Sequence, residues 1–278
     1  MSADATATFA DPTAASPADP RPSLALAMYS MWLRELVRFW RQKGRMAGAL
    51  GTPLLIWVVI GAGFGETFKP AGAESSPGYL QFFFPGIVVL TVLFTAIYST
   101  ITVIEDRQEG FLQGVLVAPV SRAGVVIGKM LGGTTLAVIQ GILVLAAGPL
   151  AGVRLSLAST AGALLFLVLV SFALTGLGMV IAWAMDSSGG FHAIMNLLLM
   201  PMWMLSGAVF PYAGAHSVLR ALMFVNPMTY AVDGLRRALG AGAAHFSFTV
   251  CLIVTAGFGA LTACSAVAIA NRKSGRER

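Results

Sequence analysis

Eighteen residues, Glu105 to Arg122 (EDRQEGFLQGVLVAPVSR), interrupt two long apolar runs. Glu105, Asp106 and Glu109 stand at the head of this segment, where a helix dipole favours negative charge by about 0.3–1 kcal/mol each. Leu112, Val115 and Leu116 follow at i, i+3 and i+4, next to Gly110, and Pro119 ends the helical pattern one turn later. The chemistry this pattern supports is recognition. Three apolar side chains are too few to hold a helix in lipid against its charged neighbours, yet enough to fill a cleft on another protein. An ordinary inner loop with incidental periodicity is the competing reading.

Other residues that could do chemistry do not assemble into a site. His192, His216 and His245 are scattered with no carboxylate or thiol cluster beside them, which leaves no metal-ligand set. Cys251 and Cys264 fall thirteen residues apart in one apolar run, a spacing that suits neither a disulfide framework nor a metal. The run from Gly124 to Met130, GVVIGKM, is one residue short of a phosphate loop between its glycines and lacks the Ser or Thr that binds Mg²⁺. It reads as a helix-packing face instead, with Gly128 and Gly132 as a small-xxx-small pair, and Gly61 and Gly65 form another.

The elements that position the segment are set by composition. Of 278 residues, 57% are hydrophobic and 11% charged, and the mean hydropathy of +0.80 places the chain in a bilayer. Six runs are long enough to cross a hydrocarbon core of about 30 Å as helices: residues 46–65, 82–104, 124–150, 158–185, 191–210 and 246–270. They lack the alternation of barrel strands, and an all-α architecture satisfies the backbone internally. Pro53, Pro85 and Pro201 are expected to kink or locally open their helices.

Thirteen of the eighteen Lys and Arg residues fall on one side if both termini are cytoplasmic, and five on the other. The net charge of +6 is therefore a topology signal, and no basic run interleaved with aromatics points to nucleic acid. Residues 1–23 contain no secretory-signal pattern and read as a disordered cytoplasmic tail, and residues 273–278 read as a cytoplasmic tail. Over residues 24–45, Tyr29, Trp32, Leu33, Leu36 and Trp40 recur at helical spacing while Arg34, Arg38, Arg41 and Arg45 repeat on another face. This pattern predicts an interfacial helix whose arginines meet anionic lipid phosphates, or a plain topology anchor.

Before the last span, the apolar stripe Val218, Leu219, Leu222 and Val225 ends at Asn226-Pro227, which steers the chain out of the helical region. A second stripe, Met228, Ala231, Val232, Leu235 and Leu239, follows with Thr229, Asp233, Arg236 and Arg237 opposite. Two short helices are predicted, on the outer surface or dipping into the outer leaflet, acting either as a cap on a pathway or as packing.

In these features the chain resembles the membrane subunit of type-2 ABC exporters. Glu105 to Arg122 is similar to that family's coupling helix, with Glu109-Gly110, Leu112, Leu116 and Ala118-Pro119-Val120-Ser121. The run from Leu205 to Pro211, LSGAVFP, and the run from Asn226 to Arg236, NPMTYAVDGLR, with Tyr230 and Asp233, resemble its outer re-entrant hairpin. Phe111 departs from the small polar residue that relatives commonly carry there. The resemblance, over about Leu24 to Arg272, implies a six-span permease domain (46–272) of the bacterial cytoplasmic membrane that binds no cofactor. ATP and Mg²⁺ would sit on a separate ABC ATPase subunit beneath it, and a second permease copy, the same chain or a sister, would complete the pathway. The cargo implied is a drug, lipid or lipid-linked glycan. The implied mechanism is mechanical: closure of the ATPase subunits pushes the helix at Glu105–Pro119, and the interfacial helix relays the motion into the first, second and fifth spans. A secondary transporter is the alternative, although the spans show almost no mid-membrane ionisable residue and no internal repeat. A membrane scaffold without transport is the third class.

Overall fold

The computed structural model describes residues 24–64, 78–112, 114 and 121–273. Among them there are helices and turns but no strand. Two helices, α1 (Leu24–Arg41) and α2 (Lys43–Phe64), follow one another across a bend at Gln42, so the predicted interfacial element is shorter than 24–45 and Arg45 belongs to α2. Next come α3 (Tyr79–Thr100), α4 (Thr102–Gln108), α5 (Arg122–Leu145), α6 (Leu157–Ala184) and α7 (Ser188–Trp203). The last is continued by a π turn at Met204–Ala208. Two short helices, α8 (Ser217–Val225) and α9 (Pro227–Leu239), precede α10 (Phe248–Lys273).

Among the described residues six stretches are long and apolar enough to cross a membrane: Lys43–Gly61, Tyr79–Gln108, Arg122–Leu145, Leu157–Ala184, Ser188–Ala208 and Phe248–Arg272. Their bounds agree with the expected spans within a few residues, except that the third ends early. There Gly148–Ala151 forms a 3₁₀ turn, because Pro149 cannot extend the helix and Gly152 takes a left-handed φ of +80° to reverse the chain.

The second span is the hub. Its most apolar window is 89% buried, against 22% for the first span and 28% for the last, so α2 and α10 turn most of their surface outward. A helix apolar on every side has no polar face to show, and α3 accordingly packs on α2, α5, α6 and α9, with Phe83, Phe84, Ile87, Leu90 and Leu93 fully buried. Span six lies along α6, and α1 lies along α5.

That second contact depends on glycine. A Cβ on Gly128 would stand 2.6 Å from the Met28 carbonyl oxygen, and one on Gly132 would stand 2.7 Å from the Glu35 Cβ. The pair read as a packing face thus makes a groove for the backbone of α1. Of the Gly61–Gly65 pair, Gly61 faces Leu80 and Gly65 lies outside the described residues. Gly128→Ala should cost about 1–3 kcal/mol through overpacking, although alanine is the better helix former. Gly44→Ala, where a Cβ meets nothing within 4 Å, should not. Thermal midpoints of the two solubilised variants check this.

Candidate functional site

The acidic residues at 105 and 106 do not begin a helix. The chain passes from α3 into α4 at Ile101 with its hydrogen bonds intact (Ile101 N–H to the Ile97 carbonyl 3.2 Å, Glu105 N–H to the Ile101 carbonyl 3.2 Å). Glu105 and Asp106 therefore end the second span, at the negative pole of its dipole, which reverses the electrostatic expectation. No proline or glycine occurs from Thr95 to Glu109 to mark a break, so nothing in the local sequence distinguished the end of one helix from the start of the next.

Cations compensate for that placement. Asp106, with no exposed surface, accepts from Arg34 through both oxygens (2.8 and 2.7 Å), from Arg38 (2.6 Å) and from the Lys129 ammonium (2.6 Å). Glu105 accepts from Arg38 (2.7 Å) and pairs with Arg45. Lys129 also donates to Glu35 (2.6 Å), and both are only 3% exposed, with the Thr102 hydroxyl 3.1 Å from the other Glu35 oxygen. The hydrogen bond to Asp106 raises Arg34 above its ordinary pKa. Buried charges persist only when paired and hydrogen-bonded, and here four cations and three carboxylates from α1, α2, α4 and α5 meet that condition. They act as a fastening.

Helix α1 is therefore turned over relative to the lipid-phosphate expectation. Arg34 and Arg38 face the protein, whereas Tyr29, Leu33, Val37 and Trp40 are exposed. Arg41 remains exposed, and Trp32 donates its indole N–H to the Thr135 hydroxyl at 3.1 Å. Glu35 and Lys129 were missed from sequence. A lone Lys two turns inside an apolar span and a lone Glu within an arginine face were the available signals, because each needs a buried partner.

Beyond α4 the chain turns at Glu109 and Gly110, whose φ of +78° favours glycine, and Phe111 places its ring 3.8 Å under the Arg34 guanidinium. The departure at position 111 thus has a local use. Leu112, expected to face a partner, is 1% exposed and belongs to the core; it and Asp106 support the turn from within. Exposed Glu109 and residues Tyr29, Leu33, Arg34, Val37, Arg38 and Arg41 line a cleft of about 720 Å³. Val115, Leu116 and Pro119 lie outside the described residues. Farther along the same end, Arg107 donates to Asp186 and to the Met185 carbonyl, both at 2.8 Å, tying α4 to the end of α6.

At the opposite end, the helices flanking Asn226-Pro227 differ. In α8 the predicted stripe Val218, Leu219, Leu222 and Val225 is exposed, while α9 is buried nearly all round, including the polar residues Thr229, Asp233 and Arg236. A π turn leaves carbonyls without their usual donors, and side chains of this hairpin supply replacements. Asn226 caps α9 and donates to the Met202 carbonyl (2.6 Å), and Arg236 donates to that of Gly207 (2.7 Å). Tyr230 donates to Phe224 (2.8 Å), and Asp233 accepts from the N–H groups of His245 and Phe246 (3.1 and 2.7 Å).

Comparison with known proteins gives a consistent result. The model of the family described as ABC-2 type transporter matches residues 27–239. The ycf38 permease of Cyanophora paradoxa is 29% identical over 187 residues, 66% of this chain and 63% of that protein, so the match spans less than two thirds of the relative. Nodulation protein J of Rhizobium leguminosarum bv. trifolii is 26% identical, covering 77% of this chain and 82% of its own. A daunorubicin resistance ABC transporter permease protein, DrrB1 of Streptomyces coeruleorubidus, is 22% identical, covering 88% and 87%.

Proposed function

The chain belongs to the ABC-2 type transporter family, as a multi-pass permease without an ATPase site, and from that premise we propose that it is the membrane half of an exporter driven through the junction of α1 with spans two and three. One observation carries the reading. Asp106 and Glu105 bind α1, α2 and α5 by charge-assisted hydrogen bonds, so a push on the turn at Glu109 moves these elements together. Residues 105–119 act as the coupling element toward a separate ABC ATPase subunit, which carries ATP and Mg²⁺. Within that element Glu109, Val115, Leu116 and Pro119 are the contact positions, and Asp106 and Leu112 are interior supports.

The fastening lies at the cytoplasmic end of the bundle, where the excess of Lys and Arg falls, and both termini are cytoplasmic in a bacterial inner membrane. The segment Asn226–Arg236 is a re-entrant hairpin at the outer end. A second permease copy covers part of the outward-turned surface of the first and last spans. The names of Nodulation protein J and of the daunorubicin resistance permease fit an amphipathic cargo such as a drug or lipid-linked glycan.

The test uses the chain reconstituted in vesicles with its ATPase. Glu109→Arg reverses an exposed charge at the turn, and Leu116→Asp places a charge on the sequence-predicted apolar stripe. Each is expected to lower permease-stimulated ATP hydrolysis about tenfold, since mismatched interface charge costs kcal/mol, with insertion unchanged. Wild-type stimulation in both variants sinks the coupling assignment.

A further inference from the structure

Cations are scarce at the outer end, where the sequence places Lys69, Arg154, Arg220, Arg236 and Arg237. Lys69 lies outside the described residues. Arg236 is buried among the helices, and Arg220 donates to the carbonyls of Ala213 and Ala215. The other two converge. Arg154, from the connection before α6, and Arg237, from the last turn of α9, line one cleft of about 510 Å³ with Gln81 at the start of α3 and Ser159 in the first turn of α6.

The cleft is built to keep its charge. Arg237 is held from behind, its Nη2 donating to the Phe246 carbonyl at 2.6 Å and to that of Ala244 at 3.4 Å. Asp233, one turn earlier on α9, is already engaged by the N–H groups of His245 and Phe246 and faces Arg236 at 3.7 Å. Among the described residues no carboxylate lines the cleft, and none pairs with Arg154 or Arg237. Two like charges sharing a cleft beside a low-dielectric slab repel one another, and an anion between them removes that cost. The guanidinium fork matches phosphate oxygens in geometry, and the Gln81 amide adds a neutral donor at the rim.

We propose that this cleft is a binding site for a phosphate-class anion at the outer face, taking either the headgroup phosphate of an outer-leaflet phospholipid or a free phosphate ester. Its assignment to the outer leaflet rests on the orientation given above; the binding itself does not.

The experiment uses the full-length chain in a neutral detergent and follows its thermal midpoint against three probes. These are dioleoylphosphatidylglycerol, dioleoylglycerol with the same tails and no phosphate, and glycerol 3-phosphate. Phosphatidylglycerol should raise the midpoint, and the double variant Arg154→Gln/Arg237→Gln should need about tenfold more lipid for the same rise, the worth of one lost charge-assisted pair. Arg220→Gln, which removes an outer charge elsewhere, should respond as wild type. An arginine-dependent response to glycerol 3-phosphate as well identifies a soluble anion as sufficient; a response to the lipid alone identifies the headgroup. Identical titrations for wild type and the double variant, or an equal effect of dioleoylglycerol, overturn the proposal. If the double variant does not fold, exposed Arg154→Gln alone carries the test. No ATP or partner is involved, so a failed coupling test and a failed anion test remain separate results.

Discussion

Asp106→Asn is expected to unfasten α1 and α5 from the end of the second span. The wild-type carboxylate takes four charge-assisted hydrogen bonds from Arg34, Arg38 and Lys129 and has no exposed surface. An amide of the same shape brings no negative charge and points N–H donors at cations. Lys129, 3% exposed, is then left with Glu35 as its one carboxylate, and Arg34 loses its bidentate partner. Breaking a buried ion pair by removing one side costs about 3–5 kcal/mol, a large share of the roughly 5–15 kcal/mol that keeps a domain folded. The thermal midpoint of the solubilised chain should fall accordingly. Stimulated ATP hydrolysis in the complex should be lost, because α1 no longer follows α4. Combining Asp106→Asn with Lys129→Met removes the stranded ammonium and should recover part of the midpoint, since the penalty lies in the unpaired charge. A midpoint for Asp106→Asn within a degree of wild type would falsify the fastening.

The second large effect is expected at the other end. Arg236→Met removes a buried guanidinium that donates to the Gly207 carbonyl at 2.7 Å, stands 4.3 Å from the Phe82 ring centre and faces Asp233 at 3.7 Å. Methionine fills much of the volume but leaves the Gly207 carbonyl of the π turn without its donor, at about 1–3 kcal/mol. Loss of the cation over Phe82 adds about 2 kcal/mol in a desolvated setting. Asp233 keeps its two backbone donors, so the total should be about 3–5 kcal/mol, comparable to a broken buried pair. The check is the thermal midpoint together with protease sensitivity of the connection between α7 and α9. Val218→Met, on an exposed position of α8, is the control and should stay near wild type. If Arg236→Met matches that control, the guanidinium is not what holds the π turn.

Much of this was legible in the chain. The six spans follow from apolar length alone, and the break at Asn226-Pro227 appears where α8 meets α9 because proline restricts the residue before it and suits the first turn of a helix. Gly128 and Gly132 were readable as a contact face, though not as the seat of α1. The inward facing of Arg34 and Arg38 was not readable. On a helical wheel they lie where headgroup-facing residues lie, and the carboxylate that turns them is 72 residues from Arg34 in the chain. Glu105 and Asp106 misled for a related reason, since a charged stretch after an apolar run looks the same whether it opens a new helix or closes the old one.

What the sequence determined by itself is the membrane architecture and the family, because burying twenty consecutive peptide groups in hydrocarbon demands local, continuous signals that composition displays. What only the tertiary structure decided is which charges are spent inside the chain and which remain for partners. Ion pairing is a relation between distant residues, and the cost of burying an unpaired charge selects among pairings that no single helix can distinguish.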